Sequence, residues 1–72
     1  MPLPLTNEEM EAVFSVTDAL GIHREHLFVP LRKQDPGSVR KMGPQLYQIV
    51  LPASIPVQEW LPTLRAELER LL

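Results

Sequence analysis

Two histidines frame the most ligand-like cluster of the chain, His23-Arg24-Glu25-His26. Imidazole nitrogens and carboxylates are common zinc ligands, so this spacing could contribute to a metal site. The cluster lies where a predicted helix passes into a predicted strand, and the chain has no cysteine and no further histidine to complete a tetrahedral set. We therefore interpret it as a polar turn and expect neither a metal nor a cofactor.

Residues 37–43 place a hydroxyl and two cations between two glycines, a composition that suggests phosphate binding. A phosphate-binding P-loop needs the G-x-x-x-x-G-K-[ST] spacing after a strand and before a helix. Here no Lys-Ser or Lys-Thr pair follows the second glycine, and Pro44 leads into a predicted strand. The segment is predicted to be a polar hairpin loop.

The serines lack the setting of a nucleophile. Ser15 lies inside a predicted helix, Ser38 and Ser54 lie in predicted turns, and no G-x-S-x-G elbow is present. The three glutamates near the start of the first predicted helix suit its positive dipole end better than acid/base chemistry. We therefore expect no catalytic residues and no enzymatic activity.

Five of the seven lysines and arginines fall between residues 22 and 44, where two acidic residues leave a net charge of +3. Four of these cations are predicted to be exposed and to contact a partner: Arg32, Lys33, Arg40 and Lys41. Clustered cations can contact a nucleic-acid backbone. However, the whole chain carries a net charge of −2, and the loop has no aromatic residue to stack on bases. We rank a protein partner first and nucleic acid second.

Local signals predict a helix near each end of the chain. Thr6-Asn7-Glu8-Glu9 has the form of a capping box and predicts a first helix over residues 7–20, ended by Gly21. Pro56 is a favourable first-turn residue for a second helix that runs to the C-terminus. Pro62 is expected to kink this helix or to mark its true start.

The middle of the chain predicts two strands, residues 26–32 and 45–51, because β-branched and aromatic residues dominate both. Residues 38–42 between them are expected to form one helical turn. The predicted fold is therefore α+β, a two-layer α-β-β-α domain in which both helices pack on one face of an antiparallel hairpin. Residues 1–5 could supply a third strand, although Pro2 and Pro4 weaken it.

Side-chain alternation divides each predicted strand into two faces. The face expected under the helices carries Leu27, Val29, Leu31, Tyr47, Ile49 and Leu51. The opposite face carries Phe28, Pro30, Arg32, Leu46, Gln48 and Val50. This outer face is too apolar for comfortable solvation, whereas Phe14 and Leu64 are expected in the core between helices and sheet.

Size and edge chemistry predict a homodimer. A 72-residue chain without cysteine is marginally stable alone, and oligomerisation is a usual remedy. Pro30 cannot donate to a ladder, so its strand belongs at an edge, and the strand over residues 45–51 is expected to offer a free edge. Pairing of two copies there would give a four-stranded sheet. The residues assigned to this dimer strand are Leu46, Gln48, Ile49 and Val50.

Composition and the N-terminal segment predict a soluble cytoplasmic protein. No apolar run approaches the roughly 18 residues of a membrane span, so no membrane contact is expected. The start of the chain has neither a basic region nor an uninterrupted apolar stretch, which predicts no signal peptide. Absence of cysteine fits a reducing compartment. Eight prolines and a single asparagine also match the habits of heat-adapted proteins.

Overall fold

A computed structural model describes residues 4–72. Within them the chain forms helix α1 (Asn7–Ala19), a 3₁₀ turn (Arg24–His26) and helix α2 (Val57–Leu71), with three strands between the 3₁₀ turn and α2. The strands are β1 (Leu27–Phe28), β2 (Ser38–Gly43) and β3 (Leu46–Val50). The predicted α+β class is confirmed, but the sheet is mixed and has three strands where two were expected.

Helix α1 begins as predicted. The Thr6 hydroxyl accepts a hydrogen bond from the Glu9 amide at 3.1 Å, and the Glu9 carboxylate accepts one from the Thr6 amide at 3.0 Å. These two bonds satisfy donors that a helix start leaves without intrahelical partners. The helix ends before Gly21, whose φ of 77° suits a residue without a Cβ.

Helix α2 begins at Val57, with Pro56 as its N-terminal cap residue. Pro62 lies inside this helix. The expectation that Pro62 could mark the true start is therefore wrong, since the first turn forms before it. Neither helix within residues 4–72 is long and apolar enough to cross a lipid bilayer.

Strand β1 is shorter than predicted and runs parallel to β3, pairing Leu27 with Tyr47 and Phe28 with Gln48. The predicted antiparallel strand over residues 26–32 is wrong, because the chain leaves the sheet after Phe28, ahead of Pro30, which has no amide to donate. Two reversals of direction separate β1 from β3, one before β2 and one after it, so β1 and β3 point the same way.

The hairpin of this fold is formed by β2 and β3, which pair in antiparallel register with a bulge between Lys41 and Gly43. The helical turn expected over residues 38–42 is wrong. This segment has only one β-branched residue, and its extended conformation comes from ladder hydrogen bonds to β3 rather than from local propensity.

Strand β3 occupies the centre of the sheet, in the order β1-β3-β2. The free edge expected along residues 45–51 is therefore wrong: β2 pairs with β3 along one side, and β1 pairs with Tyr47 and Gln48 on the other. Of the residues assigned to the dimer strand, Ile49 is fully buried. Strand β1 lies at an edge, as the neighbouring Pro30 predicted.

The helices cover one face of the sheet. The buried apolar cluster consists of Val13, Ile22, Tyr47, Ile49, Leu51, Trp60, Leu64 and Leu68. The burial of Leu64 confirms its predicted place. Leu31 was expected in this layer but is 63% exposed, because it lies beyond β1, where strand alternation no longer holds. Phe14 was also expected in the core, yet it is only half-buried and lies against the Arg24 guanidinium.

The N-terminal segment contacts the chain just after β1. Pro4 forms an isolated antiparallel bridge with Arg32, and the Leu5 amide donates to the Leu31 carbonyl at 2.9 Å. The alternative third strand over residues 1–5 is thus reduced to one bridge at Pro4, and residues 1–3 lie outside the described part of the chain.

Candidate functional site

The sheet face that the helices leave uncovered carries large apolar side chains that are exposed to solvent. We call it the outer sheet face, formed by Phe28, Ser38, Arg40, Met42, Leu46, Gln48 and Val50. Phe28, Met42 and Leu46 are 51%, 53% and 39% exposed. Such a group of large apolar side chains in solvent is typical of an interaction site.

Sheet register places three of these residues in one row. Phe28 of β1 pairs with Gln48 of β3, and Gln48 pairs with Arg40 of β2. Neighbouring strands lie about 4.8 Å apart, so the row spans about 10 Å from an aromatic ring to a guanidinium group. An apolar group, an amide and a cation are thereby presented on one surface.

The four cations predicted to form one contact group have different surroundings. Arg32 is exposed just after β1, whereas Arg40 and Lys41 are exposed on β2 at the opposite edge of the sheet. Lys33 forms an ion pair with Glu9 of α1, and its side chain is only 15% exposed. The expectation that all four are exposed is wrong for Lys33, because it connects the segment after β1 to the start of α1.

Lys41 projects from the helix-facing side of β2, opposite Tyr47. Its ammonium nitrogen lies 5.9 Å from the centroid of the Tyr47 ring, at the outer limit of a cation–π contact. The fifth cation of the basic segment, Arg24, has partners within the chain. Its guanidinium forms an ion pair with the Asp18 carboxylate at 3.1 Å and lies 4.3 Å from the centroid of the Phe14 ring.

Charge is divided between the two helices and the chain that lies between them. Helices α1 and α2 together carry seven acidic and two basic residues, whereas the chain between them carries five basic and two acidic residues. The two helices are therefore net acidic and the chain between them net basic, and two of its cations, Arg40 and Lys41, lie in a strand. A partner that approaches the β2 edge meets the exposed cations Arg40 and Lys41, although the whole chain is net negative.

Asp35 anchors the turn beside the outer sheet face. One carboxylate oxygen accepts hydrogen bonds from the Ala53 amide at 2.8 Å, the Ser54 amide at 2.9 Å and the Ser54 hydroxyl at 3.0 Å. The bond from the Ser54 amide is the largest cause that lowers the pKa of Asp35, followed by the bond from the Ser54 hydroxyl. This carboxylate ties the turn after β1 to the connection between β3 and α2.

The same turn closes one end of a shallow depression of about 340 Å³. Its floor includes Arg40, Gln48 and Val50, and its wall is the turn over residues 34–37. Gly37 has φ of 83°, and an added Cβ there would lie 2.9 Å from Pro52 Cδ. The wall is therefore packed closely against the segment that follows β3.

The histidine cluster forms the 3₁₀ turn and its flank. The rings of His23 and His26 lie edge to face with centroids 5.8 Å apart, and a Glu25 carboxylate oxygen lies 3.9 Å from the His26 Nε2 atom. Within residues 4–72, no three histidine, aspartate or glutamate side chains are grouped so that they could hold a metal ion.

Comparisons with known proteins find no relatives: no family model, no curated protein and no solved structure matches the chain. The candidate surface is thus defined by its own geometry and charge. Sequence patterning identified Phe28, Leu46, Gln48 and Val50 as outer-face residues, but its assignment of Pro30 and Arg32 to this face is wrong, because both lie beyond the end of β1. It missed Met42 and the strand that carries it, because nothing local predicts pairing of β2 with β3.

Proposed function

We propose that this protein is a small non-enzymatic protein-interaction module that binds through its outer sheet face. The observation that carries the proposal is the exposure of Phe28, Met42 and Leu46 on the face that no helix covers. Phenylalanine, methionine and arginine are enriched where protein interfaces form, and Arg40 lies on this same face. Binding would remove the three apolar side chains from water.

A second copy of the chain is the proposed first partner. A domain of this size gains stability when two copies share a core. The central place of β3 disfavours the edge-to-edge dimer expected from the sequence. Packing of two outer sheet faces against each other, about 10 Å apart as in stacked sheets, would instead cover the apolar side chains in both copies.

Light scattering coupled to gel filtration tests this proposal. The chain should elute at about twice its 8.2 kDa mass at micromolar concentration. Phe28→Ser with Leu46→Ser should give a folded monomer. Leu72→Ser is the control, because Leu72 is 64% exposed as the C-terminal cap residue of α2 and is not part of the outer sheet face, so its loss should leave the dimer intact. A folded wild-type monomer at every concentration would contradict self-association.

A nucleic-acid-binding accessory protein is the second candidate. The row that joins Phe28, Gln48 and Arg40 favours it, since an exposed ring can stack on a base while a neighbouring cation contacts phosphate. Arg32 and Lys41 are further exposed cations, whereas Lys33 is engaged by Glu9.

Titration of single-stranded and duplex RNA and DNA at low and physiological salt separates the two candidates. The interaction-module proposal predicts no binding tighter than the weak non-specific range of about 10⁻⁴ M at physiological salt. A micromolar complex that Phe28→Ser and Arg40→Glu each weaken would instead establish the nucleic-acid function. A cytoplasmic location remains a prediction, which fractionation of cells that express the tagged chain would check.

A further inference from the structure

Strand β2 ends the sheet on the side away from β1, so its outer edge has no neighbouring strand. Outside the sheet ladder, no hydrogen bond within residues 4–72 involves the backbone of residues 38–43. Alternate amides and carbonyls of β2 therefore point away from β3 without a protein partner. The strand has no proline, and its only irregularity is the bulge between Lys41 and Gly43.

The charges on β2 favour some neighbours over others. Arg40 projects on the outer sheet face and Lys41 on the helix-facing side, and neither forms an ion pair within residues 4–72. An antiparallel pair of β2 strands that overlaps along most of its length places either two Arg40 or two Lys41 side chains opposite each other. Like charges directly opposite destabilise a strand pair, so a second copy is a poor neighbour for this edge.

We propose that the β2 edge binds an extended acidic segment of another protein by strand addition. This inference adds a second binding site, the β2 edge, to the outer sheet face of the proposed function and does not depend on it. Acidic residues opposite Arg40 and Lys41 would give opposite-charge pairs, one on each face of the extended sheet. Opposite half-buried Val39 and exposed Met42, apolar residues fit best. The recognised pattern is therefore apolar-acidic-acidic-apolar.

This pattern is the same when read in either chain direction, so parallel and antiparallel addition both place the acidic pair opposite the cations. Main-chain hydrogen bonds would supply affinity and the two charge pairs specificity, as in other cases of strand addition. The face-to-face dimer leaves this edge uncovered, since stacked sheets meet through their faces rather than their edges. The two assemblies share the Arg40 side chain, which lies on the outer sheet face, whereas the backbone edge of β2 and the Lys41 side chain stay outside the dimer.

Fluorescence anisotropy with a labelled nine-residue peptide, Val-Glu-Glu-Val at its centre, tests the inference. It should bind about tenfold more tightly than the same peptide with Val-Lys-Lys-Val, because two attractive pairs replace two repulsive ones. Two further peptides carry N-methyl groups on alternate amides, one at the odd positions and one at the even positions. The peptide whose methylated amides face β2 should not bind. Amide chemical-shift changes should be concentrated at residues 38–43.

A charge-swapped variant separates loss of the charge pairs from loss of folding, because an unfolded variant would bind neither peptide. Arg40→Glu with Lys41→Glu should reverse the preference, so that the lysine peptide binds and the glutamate peptide does not. Arg32→Glu is the matched control: it removes an exposed cation outside β2 and should leave the preference unchanged. Equal affinity for both peptides, or no binding of either by the wild-type chain, would overturn the inference.

Failure of this inference can be distinguished from failure of the proposed function. If the wild-type chain is a dimer that Phe28→Ser with Leu46→Ser dissociates, but the acidic peptide does not bind, the outer-face function stands and the β2 inference is wrong. If the peptide binds but its shift changes are concentrated at Phe28 and Leu46, the outer face is the peptide site and the β2 inference is again wrong.

Discussion

The ammonium group of Lys33 forms an ion pair with the Glu9 carboxylate, and both side chains are largely buried, at 15% and 16% exposure. Glu9 also closes the capping box of α1 through its other carboxylate oxygen. One side chain therefore starts a helix and holds the segment after β1 against that helix. Buried charge pairs of this kind contribute little net stability when intact but are costly to break on one side.

Glu9→Gln should lower the free energy of unfolding by about 1–3 kcal/mol, because it leaves the Lys33 ammonium without its counter-charge. Glutamine can still accept from the Thr6 amide, so this substitution separates the ion pair from the cap. Glu8→Gln, in the same turn but exposed, is the control and should cost at most about 0.5 kcal/mol. Urea unfolding measures both, and equal effects would show that the ion pair contributes nothing specific.

Acid should destabilise the fold partly through Asp35. Its pKa is lower in the folded protein than its ordinary value, chiefly because the Ser54 amide donates to the carboxylate, so folding favours the ionised form. This stabilisation is complete above the unfolded-state pKa and is lost as pH falls through the folded-state pKa. The pH dependence of urea unfolding should be weaker in Asp35→Asn than in the wild-type chain at acid pH. Identical slopes in the two proteins would contradict this role.

Two leucines of equal size should respond differently to truncation. Leu64 is fully buried, so Leu64→Ala should cost about 2–5 kcal/mol through lost burial and a residual cavity. Leu31 is 63% exposed, and Leu31→Ala should change stability by no more than about 0.5 kcal/mol. Thermal and urea unfolding provide the measurements. A large effect of Leu31→Ala would instead indicate that Leu31 is buried, as the predicted strand over residues 26–32 requires.

The two glycines with positive φ allow backbone strain to be separated from steric clash. Gly37→Ala should cost more than Gly21→Ala, because a Cβ at Gly37 lies 2.9 Å from Pro52 Cδ and 3.1 Å from the Val50 carbonyl oxygen. At Gly21 an added Cβ has no neighbour within 4 Å, so only the strain of a left-handed backbone remains, about 1 kcal/mol. Equal costs at the two positions would indicate that the turn over residues 34–37 is not tightly packed.

Features that depend on neighbouring residues could be predicted from the sequence. The capping box at Thr6, the helix end at Gly21 and the start of α2 after Pro56 each follow from contacts within one turn of helix. The α+β class and the burial of Leu64 follow from periodicity in the same way. Local chemistry also identified most of the outer sheet face, because alternation along β3 is enough to separate Leu46, Gln48 and Val50 from the buried side.

Tertiary structure decided how these elements pair, because pairing depends on residues far apart in sequence. Nothing near residues 38–43 predicts a strand; it forms because β3 supplies ladder partners. The parallel direction of β1 depends on the path of the whole connection from Phe28 to Ser38, and the central place of β3 depends on both neighbours at once. The partner of Lys33 could not be predicted from its sequence neighbours either, because Glu9 lies in α1 and the ion pair forms only when α1 packs beside the sheet. Sequence alone therefore determined the helices and the two faces of β3, whereas the free edge and the available cations were decided by long-range contacts.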